Sequence, residues 1–112
     1  MIDKIDTVTV YLEDIGRYPL LESEEEVNLA KKMCEGDFDA HNKLIESNLR
    51  LVAIIASRYM SAYGSKNLDY LDMIQEGNLG LIHAVEKFDY TKGYKFSTFA
   101  TYWIKSYIKR SI

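Results

Sequence analysis

The fold is read first from Gly93-Tyr94-Lys95-Phe96-Ser97-Thr98-Phe99-Ala100-Thr101-Tyr102-Trp103-Ile104-Lys105-Ser106-Tyr107-Ile108-Lys109-Arg110. Wound at about 100° per residue, the stretch places Thr98, Tyr102, Lys105, Ser106 and Lys109 on one side and Ala100, Ile104, Tyr107 and Ile108 on the other. Phe99, Trp103 and Arg110 fall on a border. This two-sided pattern predicts an amphipathic helix, with Ser97 as the expected N-cap. Its polar side is unusual, because Tyr102 lies among cations where a purely structural helix would more often carry glutamate or glutamine. Five aromatic residues fall between Tyr94 and Trp103. Rings among lysines and hydroxyls suit a surface on which unpaired bases stack while cations hold phosphates.

Charge sharpens that reading. After Asp89 there is no acidic residue, while Lys92, Lys95, Lys105, Lys109 and Arg110 follow it, so the chain's net charge of −3 hides a basic end on an acidic body. A polarised chain can offer phosphates one face and a different partner another.

Moving toward the N-terminus, the same helical period recurs. Asp69 or Asn67 is expected to open a helix carrying Leu71, Ile74, Leu81, Val85 and Phe88, which ends before the turn Asp89-Tyr90-Thr91-Lys92-Gly93. Before it, Ala62-Tyr63-Gly64-Ser65-Lys66-Asn67 reads as a connector. Asp37 can cap what is expected to be the longest helix, about residues 38 to 62, with the broad stripe Leu44, Ile45, Leu49, Leu51, Val52, Ile55, Ala56 and Tyr59. Ser23 with Glu26 is expected to form the capping box of a helix bearing Val27, Ala30 and Met33, closed by Gly36. Val8, Tyr11, Leu12 and Ile15 mark a short first helix that stops at Gly16, and a turn through Arg17-Tyr18-Pro19 follows. No stretch reads as strand, so the fold class is all-α.

The chain has 112 residues, 47% of them hydrophobic, with one proline and six glycines near segment edges: one domain with one core. A lone Cys34 excludes an internal disulfide and is expected to be a small buried thiol. No cysteine or histidine cluster has metal-binding spacing, and no cofactor is implied. The N-terminus lacks the pattern of a leader, and no apolar run approaches the roughly 20 residues that span a bilayer, so no membrane partner and a cytoplasmic location are expected.

Four strings in order carry a resemblance to a known family. Val10-Tyr11-Leu12-Glu13-Asp14-Ile15-Gly16 with Leu20-Leu21 looks like region 1.2 of bacterial RNA polymerase sigma factors of the housekeeping-like sigma-70 family. Asn48-Leu49-Arg50-Leu51-Val52 resembles region 2.1, Leu71-Asp72-Met73-Ile74-Gln75-Glu76-Gly77-Asn78-Leu79-Gly80-Leu81 resembles region 2.2, and Tyr94 to Trp103 resembles the promoter-melting segment. The resemblance covers nearly the whole chain. It implies a compact helical sigma domain 2 with short N-terminal region 1.2 helices, residues 1–36 forming the latter and 37–112 the former, in one compact unit.

The resemblance implies site residues. Asp72, Gln75, Glu76, Asn78 and Ile82 would dock on the beta-prime coiled coil of core RNA polymerase; acceptors, amides and an apolar anchor on one helix side are a usual interface mixture, although a merely solvated face carries similar residues. Phe88, Asp89, Lys92, Tyr94, Thr98, Phe99 and Ser106 would form a pocket for a flipped adenine of the nontemplate minus-ten strand, with Tyr102 and Trp103 as the wedge against the last paired step. Base extrusion costs a few kcal/mol, which stacking worth ~1–3 kcal/mol per base can offset. A thymine pocket would draw on Leu20, Glu26, Asn48, Leu51, Lys95 and Ser97. Asn48 could instead be a buried amide satisfied locally, and Glu26 could be occupied in its capping box. Ser106, Lys109 and Arg110 would meet the upstream duplex base.

Departures from the housekeeping pattern are Phe99 for tyrosine, Tyr102 for tryptophan, Ser106 for glutamine and Lys109 for threonine. A short serine beside a lysine that favours guanine acceptors should alter the preference for the upstream base pair. These departures, with no acidic segment before the first helix, lead to the expectation of an alternative sigma factor or a trimmed chain. The absence of promoter-distal domains and an end at Lys109-Arg110-Ser111-Ile112 without a helix stop suggest a fragment.

The expected function is therefore transcription initiation through polymerase binding and capture of minus-ten bases. The competing reading is a decoy or regulator that binds polymerase or an anti-sigma factor without opening promoters. Enzymatic activity is not expected: His41 and His83 have no evident nucleophile partner and read as surface or partly buried helix residues, and no phosphate-binding glycine loop with lysine is present.

Overall fold

The computed structural model describes residues 4–63 and 69–112, with side chains from residue 8 onward. The chain runs through α1 (Lys4–Gly16), α2 (Ser23–Cys34), α3 (Phe38–Glu46), α4 (Leu49–Tyr63), α5 (Tyr70–Lys87), a 3-10 turn (Tyr90–Lys92) and α6 (Phe96–Ser111). No strand occurs among the described residues.

The core lies where α5 packs on α6 and α4. Met73, Ile74, Leu81, Ala84 and Val85 of α5 meet Ala100, Ile104 and Ile108 of α6 and Val52, Ile55 and Ala56 of α4, all nearly or fully buried. Phe96, Ala100, Ile104 and Ile108 form one ridge at a spacing of four, the apolar side that the helical period of α6 requires. Gly77 and Gly80, expected like the other glycines near segment edges, lie instead inside α5 and bring that helix in close. A Cβ on Gly77 would lie 2.6 Å from Val52 Cγ1, and one on Gly80 would lie 2.6 Å from the Trp103 carbonyl oxygen and 2.9 Å from Ile104 Cα. Close backbone approach is available only without a side chain.

Five further local expectations need correction. The segment expected as one helix from 38 to 62 is two: Ser47 Oγ and Asn48 Nδ2 both donate to the Leu44 carbonyl, at 3.2 and 2.9 Å, and α3 ends there before α4 starts at Leu49. Serine and asparagine side chains compete with the helix for backbone partners; the longest helix is therefore the 18-residue α5. Asp37 does cap α3, accepting from Ala40 N–H at 3.1 Å. The capping box of α2 lies one residue earlier than expected, with Glu25 accepting from the Glu22 N–H at 3.3 Å, because the backbone is already helical at Ser23. Likewise α6 starts at Phe96, so its N-cap is Lys95 and Ser97 is inside the first turn. Cys34 is exposed: it is the last helical residue of α2, and the stripe turns inward through Ala30 and Met33 instead. Ala62 and Tyr63, expected in a connector, end α4, while Gly64, Ser65, Lys66 and Asn67 lie outside the described residues.

Asp69, one of two expected starts, caps α5 in a reciprocal box with Asp72: Asp72 N–H donates to Asp69 at 3.0 Å and Asp69 N–H to Asp72 at 3.1 Å. Asp89 caps the 3-10 turn, and Gly93, at φ +85°, reverses the chain into α6. No helix among the described residues is long and apolar enough to cross a membrane.

Candidate nucleic-acid interface

A pocket of about 410 Å³ opens where four parts of the chain converge. The α1–α2 connection supplies Leu20 and Leu21, α2 supplies Glu26, the α3–α4 break and α4 supply Ser47, Asn48, Arg50, Leu51 and Ile54, and α6 supplies Ser97. Five of the six expected thymine-pocket residues thus line one cavity. The sixth, Lys95, is exposed at the N-cap of α6, two residues before Ser97.

Glu26 is buried and its Oε2 accepts from the Phe96 backbone N–H at 3.2 Å, so α2 caps α6 across the fold. Burial pushes the Glu26 carboxyl above its ordinary range, opposed by that N–H and by the charge of Lys95. Asn48 is also buried. Its Nδ2 donates to the Leu44 carbonyl at 2.9 Å and approaches Ser47 Oγ at 3.3 Å, so the amide's donor end serves the helix break. Arg50, which sequence reasoning did not assign, donates from Nη2 to the carbonyls of Gly16 at 2.9 Å and Tyr18 at 3.2 Å. That fork ties the α1–α2 connection to α4 and holds Leu20 over the pocket. An arginine next to the Asn48-Leu49 pair was visible in sequence, but its distant carbonyl partners were not.

The aromatic surface is continuous. Phe88 is buried and meets Tyr94, Phe96 and Phe99 at ring separations of 5.9, 5.1 and 5.8 Å. Tyr94 stacks on Phe99 at 5.6 Å, Phe99 leads to Trp103 at 6.4 Å, and Tyr102 stands edge-on to Trp103 at 5.5 Å and 83°. Tyr94 and Tyr102 are 40% and 67% exposed, which decides which rings can meet a ligand: Phe88 supports from beneath, Phe99 is half-buried between the core and Tyr94, and Tyr94 and Tyr102 are the open rings. Asp89 is engaged with Thr91, whose hydroxyl and N–H donate to it at 2.6 and 2.9 Å, and these bonds hold its carboxyl below the usual range. Lys92, Lys95 and Thr98 are exposed beside the rings in sequence. Ser106 is half-buried further along α6, a turn beyond Tyr102.

Trp103 has a support that sequence reasoning did not foresee. His83 of α5 stacks on Trp103 at 4.1 Å and shares a 2.7 Å hydrogen bond between its Nδ1 and the Tyr107 hydroxyl. Trp103 Nε1 is buried without a protein partner. Arg110 lies over the Tyr107 ring at 4.5 Å, continuing this layer, while Lys109 is exposed on the polar side.

On α5, Gln75 is exposed and Glu76 half-buried, and Ile82 is exposed together with Leu79, an apolar residue that sequence reasoning did not assign. The other two expected docking residues are occupied. Asp72 belongs to the capping box, and Asn78 Nδ2 donates to the Tyr11 hydroxyl of α1 at 3.2 Å.

Residues 44–112 match the family described as Sigma-70 region 2, and residues 6–39 match Sigma-70 factor, region 1.2. The chain belongs to the sigma-70 family. A protein from Bacillus sp described as RNA polymerase sigma factor SigA is 54% identical to this sigma-70 chain over 107 residues, and one of the same description from Clostridium acetobutylicum is 55% identical over 107 residues. Each comparison covers 96% of this chain and 27% of the relative, so the chain spans about a quarter of the length of these curated relatives. Similarity to SigA proteins weighs against the expectation of an alternative factor, which rested on Phe99, Tyr102, Ser106 and Lys109.

Proposed function

We propose that this sigma-70 chain is the part of a transcription initiation factor that binds core RNA polymerase and captures flipped bases of the nontemplate minus-ten strand. The observation that carries this reading is the 410 Å³ pocket, in which Leu20, Glu26, Asn48, Leu51 and Ser97 come together from four separate segments. Apolar side walls with a carboxyl, an amide and a hydroxyl suit one planar base with polar edges.

The ring surface supplies the second binding region. An adenine would stack on Tyr94 and Phe99, and Tyr102, the most exposed ring of the wedge pair, would replace the partner of the last base pair. Binding two extruded bases favours the open strand over the duplex without nucleotide hydrolysis, since stacking of ~1–3 kcal/mol per base is comparable to the cost of extrusion. The polymerase would be met by Gln75, Glu76 and Ile82 of α5, with Leu79 beside them. Ser106 and Lys109 would shift the preference at the first position of the element.

The test uses full-length factor with core polymerase on duplex and pre-melted promoters. Phe99→Ala should remove the preference for single strands carrying the adenine, and Phe99→Tyr should retain it because the ring face persists. Tyr102→Ala should slow opening of duplex promoters more than it weakens binding to pre-melted ones. A factor that binds polymerase normally yet never opens a promoter would be the decoy instead.

A further inference from the structure

Trp103 is fixed more firmly in its backbone than in its ring. The close approach of α5 at Gly80 pins the Trp103 carbonyl, since a Cβ added to that glycine would lie 2.6 Å from the oxygen. The plane of the indole is a separate matter, because the torsion that turns an aromatic ring about its Cβ bond is broad and roughly two-fold. Its Nε1 has no hydrogen-bond partner among the described residues, so packing must set that plane.

His83 supplies the packing. It lies three residues beyond Gly80, on the same side of α5. Its imidazole stands 4.1 Å from the indole with 22° between the planes, closer than the 5.5 and 6.4 Å at which Tyr102 and Phe99 meet the same indole. The imidazole torsion is as loose as that of the indole, and here it is held. Nδ1 shares a 2.7 Å hydrogen bond with the hydroxyl of Tyr107, one turn beyond Trp103 on α6, and the Tyr107 ring stands edge-on to the imidazole at 80°. Arg110 in turn covers the Tyr107 ring at 4.5 Å. A phenylalanine in place of His83 could stack, but it would have no such bond to fix its plane. On the open side Tyr102, 67% exposed, leans edge-on against Trp103 at 83°.

We propose that His83 is a positioning residue for strand opening: tethered by Tyr107, its imidazole braces the Trp103 indole and so sets the plane against which Tyr102 stands. The proposal rests on the wedge reading of Tyr102 and Trp103 above and adds to it a residue of α5 that acts through Trp103. A ring that takes the place of a departing base partner gains from a rigid backing, because a side chain ordered beforehand need not be ordered as the strands part.

The experiment measures duplex promoter opening and binding to pre-melted promoters with the full-length factor and core polymerase. His83→Ala should slow opening about two- to tenfold, the range that an aromatic pair contributes, and leave pre-melted binding unchanged. His83→Phe and Tyr107→Phe keep a ring on Trp103 and lose only the tether, so both should fall between His83→Ala and the wild type. In a Tyr102→Ala background His83→Ala should have no further effect, because residues that act as a unit are not additive. Trp103 is the one tryptophan of the 112-residue chain, so its emission there reads the brace directly: His83→Ala should shift it to the red as the indole opens to water, and His83→Phe should not. Unslowed opening in His83→Ala or in Tyr107→Phe, losses that add to that of Tyr102→Ala, or equal losses on both templates would overturn the proposal. So would a lower melting temperature of His83→Ala with wild-type opening and unshifted emission, because His83 would then only hold α5 to α6. Unchanged opening in Tyr102→Ala would sink the wedge reading and the brace with it, whereas slow opening in Tyr102→Ala beside normal opening in His83→Ala defeats the brace alone.

Discussion

The Glu26 carboxylate on α2 accepts a hydrogen bond from the backbone N–H of Phe96, the first residue of α6, at 3.2 Å. Seventy residues apart in sequence, they join the wall of the 410 Å³ pocket to the helix that carries the rings. The N-terminus of α6 has an unsatisfied donor and a partial positive charge, and no side chain of its own caps it. A carboxylate from elsewhere in the fold does so instead.

Glu26→Ala should therefore destabilise the chain by about 1–3 kcal/mol, whereas Glu26→Gln should cost less because an acceptor remains. The acid range separates the two forms of the wild-type group. Burial raises the folded carboxyl pKa above 4.5, so between that value and the folded one the native state binds more protons than the unfolded state. Stability from this group is then greatest at or below pH 4.5 and declines as pH rises through the folded pKa. Urea melts across this window should show that decline in the wild type and a flatter profile in Glu26→Gln; identical profiles would remove Glu26 as the titrating group.

Gly80→Ala should be among the most damaging small changes, on the order of 3 kcal/mol, because the new Cβ would meet the backbone of Trp103 and Ile104, which cannot rotate away. Gly16→Ala is the control, with open space around the added atom. Thermal melts of the two variants should differ widely. Near-equal melting would mean that α5 and α6 can separate without loss.

For the proposed polymerase contact on α5, Gln75→Ala and Glu76→Ala should each weaken binding to the beta-prime coiled coil by about 1–2 kcal/mol and leave helical content unchanged. Leu79→Ala is predicted to behave alike, since that side chain is half exposed on α5. Asp72→Ala should instead lower stability by about 1 kcal/mol, because the Asp69 N–H loses the Asp72 carboxylate that accepts from it in the capping box, whatever the change does to binding. Calorimetric titration beside thermal melts distinguishes the two kinds of loss.

Promoter choice gives a further expectation. With Ser106 half-buried and Lys109 exposed three residues on, a lysine can reach guanine N7 and O6 where a short serine cannot imitate an amide. Promoters selected from a library randomised at the first position of the element should depart from thymine, with discrimination of ~1–3 kcal/mol. Recovery of thymine, unaffected by Ser106→Gln with Lys109→Thr, would show that these two residues do not set the preference.

Much of this was legible in one dimension. The period of α6 alone predicted its buried ridge at Ala100, Ile104 and Ile108 and its open cationic side, because a helix converts spacing into faces by fixed geometry. Four ordered motifs likewise indicated the family, and the polarity of the chain could be counted. What the sequence could not settle were competitions between partners. Ser47 and Asn48 break a helix that apolar spacing would continue, since their side chains compete locally for the Leu44 carbonyl, three and four residues back, which apolar spacing does not register. The N-cap of α2 falls at Glu22 instead of the expected Ser23, which leaves Glu26 free of its local box. The pairs Glu26 with Phe96, Arg50 with Gly16 and His83 with Trp103 then depend on helices being brought together by burial of a common core. Sequence determined which faces are apolar and which are charged; only tertiary packing decided which polar groups those faces bring within hydrogen-bonding distance.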